Sequence, residues 1–145
     1  MLTGPTALVL AAAFSGAAYY INEVEQPARL TLNDASLLAQ WKVSYPRGYK
    51  MQASLAAVSG LFGFAAAWQT QHVLWLLGAL LILTNWPFTI FVIKPVNDQI
   101  KAIDNNAAGP ASRVLIVKWA RLHGVRTALG VLATGAFLWA LAWTS

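Results

Sequence analysis

Cysteine is absent from this 145-residue chain, which excludes disulfides, thiolate metal sites and thiol nucleophiles together and leaves the redox compartment open. Charge is scarce: only 10% of the residues are charged, where a soluble domain carries about 25%. No Asp, Glu, Lys or Arg occurs between Met51 and Ile93. There is no HExxH, no Cys–His or carboxylate-rich cluster and no phosphate-cradling glycine loop. Ser44, Ser54 and Ser59 lack the surroundings of a nucleophile elbow. The two histidines, His72 and His123, fall at opposite membrane ends and cannot share one ion. No internal repeat or low-complexity tract is visible, and the chain is too short to build a transporter's repeated halves.

What is present is apolar: 58% hydrophobic residues, seven tryptophans and a mean hydropathy of +0.55. So much apolar surface with so little charge excludes disorder. The length fits a single domain over 1–145. Four continuous apolar stretches run from about Leu2 to Tyr20, Met51 to Trp68, Val73 to Ile93 and Val114 to Trp143. A helix needs about 20 apolar residues to span the hydrocarbon core, so each is long enough or nearly so. Barrel strands would alternate apolar and polar residues, whereas these stretches are unbroken and rich in Ala, Leu and Gly. The fold expected is an all-α integral membrane four-helix bundle, with helices at about 2–24, 50–69, 72–94 and 113–143. The first stretch has no basic n-region and runs into Tyr19-Tyr20 rather than a small-residue cleavage site, so it reads as a retained span.

The charges set an orientation. The two long connections, Glu23–Tyr49 and Lys94–Arg113, and the adjoining helix ends hold nine Lys and Arg, whereas the Gln69-Thr70-Gln71 link and both tails hold none. The positive-inside rule then places both long loops in the cytoplasm and both termini outside, in the inner membrane if the source is bacterial. The net charge of +5 is accounted for by this one face and calls for membrane lipid, not nucleic acid. Within the first loop, Asn33-Asp34 caps a short amphipathic helix with Leu37, Leu38 and Trp41 on one side; VNDQIKAIDNN forms a similar segment in the second. Both are expected to lie in the interface. Trp68, Trp75, Trp139 and Trp143 read as an aromatic belt on the outer side, with His72 solvated beside them. Gly60, Gly63, Gly130 and Gly135 read as helix contact points.

Polar residues inside the spans are the candidate site, because such groups are costly in lipid and face the bundle interior. Tyr19, Asn22, Glu23 and Gln26 share a face of the first helix, followed by Glu25 and Arg29. Gln52 sits one turn inside the second helix, and Thr84, Asn85 and Thr89 surround Pro87 on the third, with Asn97 beyond Pro95. The carbonyl freed by Pro87 calls for Thr84 or a neighbouring helix. On the fourth, Trp119, His123, Arg126 and Thr127 form one stripe. At 1.5 Å per residue His123 lies roughly 13 Å past Val114, with Arg126 deeper. An arginine at that depth needs a partner, and Glu23 or Glu25 is the available acid.

The blocks GAAYYINEVEQPARL, WKVSYPRGYKMQ, NWPFTIFVIKPVND and WARLHGVRTALG resemble the anthrone oxygenase-like family of small four-helix membrane proteins. They cover both loops and the inner ends of all four helices. The family pattern closes the first helix with an acid, often followed by His-Pro; here it reads Glu25-Gln26-Pro27, with Gln26 in place of the histidine. Pro87-Phe88-Thr89 matches the Pro-Phe-Thr of the third helix, and Trp119, His123, Arg126 and Thr127 match the block of the fourth.

The resemblance implies oxidation of anthrones to anthraquinones with molecular oxygen. An anthrone methylene is acidic because its carbanion is a delocalised phenolate, which can pass an electron to oxygen with no cofactor. His123 would be the base, since an unperturbed imidazole titrates near neutrality. Arg126 and Arg47 would hold the phenolate, Glu25 or Glu23 would orient the imidazole, and Trp41, Tyr45 and Trp119 would stack on an apolar aromatic substrate. Gln52, Asn85, Thr89, Asn97, Arg29, Glu23 and Asn22 complete the expected substrate wall. Two other readings stay open: a haem protein with His123 as axial ligand, and a non-catalytic membrane scaffold. Association into a homo-oligomer also stays open.

Overall fold

The computed structural model describes residues 2–144, the side chain of Thr144 excepted. Four long helices run up and down: α1 (Thr3–Leu30), α2 (Asp34–Thr70), α3 (Val73–Ala102) and α4 (Pro110–Thr144). Each is long and apolar enough to cross a membrane, and no strand occurs among the described residues. Each helix packs on its two neighbours in a closed ring, with α2 also meeting α4 across the diagonal. Thr3 donates a hydrogen bond to Gln69 Oε1 (2.6 Å), and Ala140 packs in one cluster with Ala7 and Trp75. Both termini and the short α2–α3 link therefore share one end of the bundle, called here the link end; the opposite end is the loop end. The link turns at Gln71, whose backbone is left-handed (φ 54°) and whose N–H closes α2 on the Ala67 carbonyl.

At the loop end the helices outrun the apolar stretches. The segments expected as separate interfacial helices are instead continuous with the spans: the first is the opening of α2, the second the close of α3. Asn33 does cap the first, its side chain accepting from the Ser36 N–H at 2.9 Å. Nothing after it stops the helix, since Leu37, Leu38 and Trp41 are buried against Ile93, Val96, Ile100, Ile116 and Trp119 rather than laid on lipid. Arg113 ties this end together, bonding Asp34 Oδ1 and the carbonyls of Leu30 and Leu32.

Two wide π turns interrupt the rods, Ile21–Glu25 in α1 and Thr89–Ile93 in α3. Each directly precedes a turn with proline at its second residue, Pro27 or Pro95. Proline has no N–H to offer and its ring crowds the carbonyl four residues back, so a turn that takes one extra residue accommodates it. Thr84 does not serve Pro87 as expected; its hydroxyl donates to the Leu80 carbonyl (2.7 Å).

The link-end core is built from alanines with three aromatics, Phe14, Trp75 and Phe137. Small residues let the backbones approach, which is how helices associate where lipid gives no hydrophobic drive. A Cβ on Gly63 or Gly78 would fall 2.7 or 2.5 Å from the Phe137 ring, and one on Gly130 would meet Phe14 at 2.7 Å. Gly60 faces Leu83 in the same way, while Gly135 has nothing within 4 Å and is not a contact point. Trp75 departs from the expected belt: it is 1% exposed, with its ring over Gly4 and beside Phe137, whereas Trp68, Trp139 and Trp143 are exposed. Gly4 leaves the room that draws that indole inward.

Candidate active site

A cavity of about 310 Å³ opens in the loop half, between α1, α2 and α4. The stripe on α4 folds inward as its spacing implies: Trp119, His123 and Arg126 are 4%, 1% and 5% exposed and line the cavity together. Facing them on α2, at the same spacing of four and then three residues, stand Tyr45, Tyr49 and Gln52, with Arg47 at the rim. From α1 come Ile21, Glu25 and Arg29. Tyr49 was not anticipated from the sequence, although its spacing from Tyr45 and Gln52 copies the α4 stripe.

The aromatic rings form one connected wall. Tyr45 stacks on Trp41 (4.7 Å, interplanar 8°), and Trp41 meets Trp119 edge-on (5.7 Å). Trp119 leans on the His123 imidazole at 5.1 Å. Trp41 is fully buried behind Tyr45 and Trp119 and does not line the cavity. Asn97 also stands behind the wall, its amide donating to the Tyr45 hydroxyl at 2.7 Å. Asn85 and Thr89 border a separate, much smaller space of about 10 Å³, shared with Tyr49 and Arg126.

The polar contacts differ from those expected. Arg126 has no carboxylate partner among the described residues; its guanidinium lies 5.7 Å from the Phe14 ring centroid, and its Nε has no hydrogen-bond partner. Glu25 instead bonds Arg29, one turn along its own helix, and accepts from Gln40 (3.3 Å). Glu23 is exposed on the outside of α1. The acids are unavailable to Arg126 because Glu25 takes the neighbour four residues on, and Glu23 falls outside the bundle. Neither acid orients the imidazole. That contact belongs to Asn22: its Oδ1 lies 2.9 Å from His123 Nδ1 and accepts from the Thr127 hydroxyl at 2.7 Å, while its Nδ2 donates to the Ala120 carbonyl at 3.0 Å. Asn22 sits inside the π turn of α1.

The cavity thus sets three guanidinium groups, Arg29, Arg47 and Arg126, against one carboxylate, Glu25. Arg29 is 3% exposed and also lies 5.8 Å from the Trp119 ring centroid. In a mostly apolar pocket such an excess of fixed positive charge favours a ligand that carries or develops negative charge.

A family model described as anthrone oxygenase matches residues 41–136. The chain is 33% identical over 144 residues to "Anthrone oxygenase nsrD" of Aspergillus novofumigatus, covering 92% of this chain and 88% of that protein. It is 30% identical over 140 residues to "Anthrone oxygenase tpcL" of Aspergillus fumigatus (88% and 85% covered). With "Anthrone oxygenase" of Claviceps purpurea it shares 29% identity over 129 residues (79% and 74% covered). No solved structure matches the chain at a significant level.

Proposed function

The chain belongs to the anthrone oxygenase family, and on that premise we propose that it oxidises a flat, phenolic, anthrone-type substrate with dioxygen inside the loop-end cavity. An oxygenase-like function in general follows from the family. The substrate and the mechanism are part of the proposal. It rests above all on one observation: a buried imidazole and a buried guanidinium with no carboxylate partner among the described residues share one wall of an aromatic pocket.

His123 takes a proton from the ring methylene, and the electron pair left behind delocalises into the ring oxygen. Arg126, with Arg47 at the rim, holds that oxyanion. Tyr45 and Trp119, set edge to face at 6.4 Å, offer an aromatic wall against which the flat ring system packs. The anion gives one electron to dioxygen, and the resulting radical and superoxide combine with one proton to a hydroperoxide. Loss of water, with the second methylene hydrogen and one oxygen atom, leaves the carbonyl. The balance is methylene plus O₂ to carbonyl plus H₂O. The volume of about 310 Å³ lies at the small end of ligand pockets, which run from roughly 300 to 1,000 Å³.

By the positive-inside rule the loop end, with its nine flanking basic residues, faces the cytoplasm and both termini face outward. A C-terminal reporter active in the cytoplasm would reverse this orientation.

The purified protein in detergent, given an anthrone, should consume one O₂ per anthraquinone formed and show no Soret band. A Soret band that vanishes in His123→Gln would replace this reading with the haem one. Tight anthrone binding without turnover would leave a binding protein.

A further inference from the structure

We propose that Asn22 is the positioning residue of this site: its side-chain oxygen holds His123 as the Nδ1–H tautomer and so leaves Nε2 as the atom that takes the substrate proton. The proposal rests on the reading of His123 as the base. The assignment comes from the pattern of donors and acceptors. A backbone carbonyl only accepts, so the Asn22 atom 3.0 Å from the Ala120 carbonyl must be its NH₂ group. The reverse orientation would set two carbonyl oxygens against each other. The other end of the amide is then the oxygen, which accepts the Thr127 hydroxyl at 2.7 Å and lies 2.9 Å from His123 Nδ1. An amide oxygen carries no proton, so Nδ1 must. In neutral imidazole the remaining lone pair then sits on Nε2, for which the described residues supply no hydrogen-bond partner.

Three features make Asn22 suited to this. It lies in the π turn Ile21–Glu25, where the extra residue aims it at α4 while Glu25 turns to Arg29. Its three hydrogen bonds all go to α4, so its place is fixed by residues on both sides of His123. It is also uncharged. A carboxylate there would stabilise imidazolium, which has no lone pair for a proton, whereas an amide selects the tautomer and adds no charge. The charged groups around the imidazole are Arg126 on its own helix and Arg29 and Glu25 on α1, the last engaged with Arg29; the nearby α2 groups are the Tyr45 and Tyr49 phenols and Arg47.

The test is ¹⁵N NMR of histidine-labelled protein in detergent, with His123→Gln used to assign the signals against His72. Wild type should show a protonated Nδ1 and a pyridine-type Nε2 for His123. Asn22→Leu should lose that preference, with kcat down about 10- to 100-fold, by analogy with the loss of a group that orients a metal-ligating histidine, and KM nearly unchanged. Asn22→Asp should restore the Nδ1–H signature but move the pH profile of kcat upward. A wild-type spectrum with the proton on Nε2 overturns the proposal whether or not the variants fold. So does Asn22→Leu with an unaltered tautomer and kcat. A chain that shows the Nδ1–H signature, loses it in Asn22→Leu and oxidises no anthrone supports the positioning and overturns the base reading alone.

Discussion

At the link end Phe137 rests against Gly63 and Gly78, alanines line the helix contacts, and Ser59 spans two helices by donating to the Ala7 carbonyl at 2.8 Å. At the loop end, Gln26, Arg29, Gln52, Asn85, Trp119 and Arg126 all bury polar atoms with no hydrogen-bond partner. Among the described residues, Trp75 Nε1 is the one such atom of the link half. Unpaired buried polar groups cost stability, and they are tolerated where the rest of the fold holds firm. Both ends pack an apolar cluster, but the loop end alone is also left with many unmet polar groups.

The largest effect should come from the loop end. His123→Gln keeps a hydrogen-bonding end but removes the base, and turnover of an anthrone at neutral pH should fall by about 10²–10⁴-fold. Raising the pH should recover part of the rate, because the substrate then ionises unaided. Normal turnover in this variant would move the base elsewhere, with Glu25 next to test.

Phe137→Ala should do the converse. Losing a fully buried ring typically costs about 3–5 kcal/mol, read as a lowered thermal midpoint in detergent, while kcat per folded molecule stays as in wild type. A loss of kcat without a change in midpoint would show that the two ends are not separable.

Arg126→Ala sharpens the comparison, since no acid is left behind unpaired. The thermal midpoint should change little, while turnover should fall by about 10²–10³-fold, as when one oxyanion-stabilising group is removed. A marked drop in midpoint with turnover kept would make Arg126 a structural residue.

Smallest of all is Gly135→Ala, whose added methyl meets open space and gains at most about 1 kcal/mol of helix propensity. Gly78→Ala, where the methyl would fall 2.5 Å from the Phe137 ring, should instead lower the midpoint.

The α4 stripe was legible because a helix repeats every 3.6 residues, so Trp119, His123 and Arg126 had to share a face that lipid would reject. The partners across the bundle were not. Glu25 and Glu23 are the acids that the hydropathy places at the end of a span, yet the first pairs with Arg29 and the second faces outward. Asn22 was expected on the substrate wall, but its contact with His123 emerged only from the fold, since a π turn shifts the face that regular helical spacing assigns. Trp75 misled because composition cannot tell an indole at the lipid surface from one seated over a glycine on another helix.

The sequence by itself determined four spans, the end of the bundle that carries charge, the cap at Asn33 and the inward face of α4. Each of these follows from local hydropathy or helical period, which need no knowledge of neighbouring chain segments. Only the tertiary structure decided that the presumed interfacial segments extend α2 and α3, that Arg126 stands without an acid, and that an asparagine on α1 meets the histidine on α4. Those outcomes depend on which helix faces lie opposite each other, and on where two wide turns rotate them. Such long-range pairings are set by packing between segments about a hundred residues apart in the chain, for which a single sequence carries no local signal.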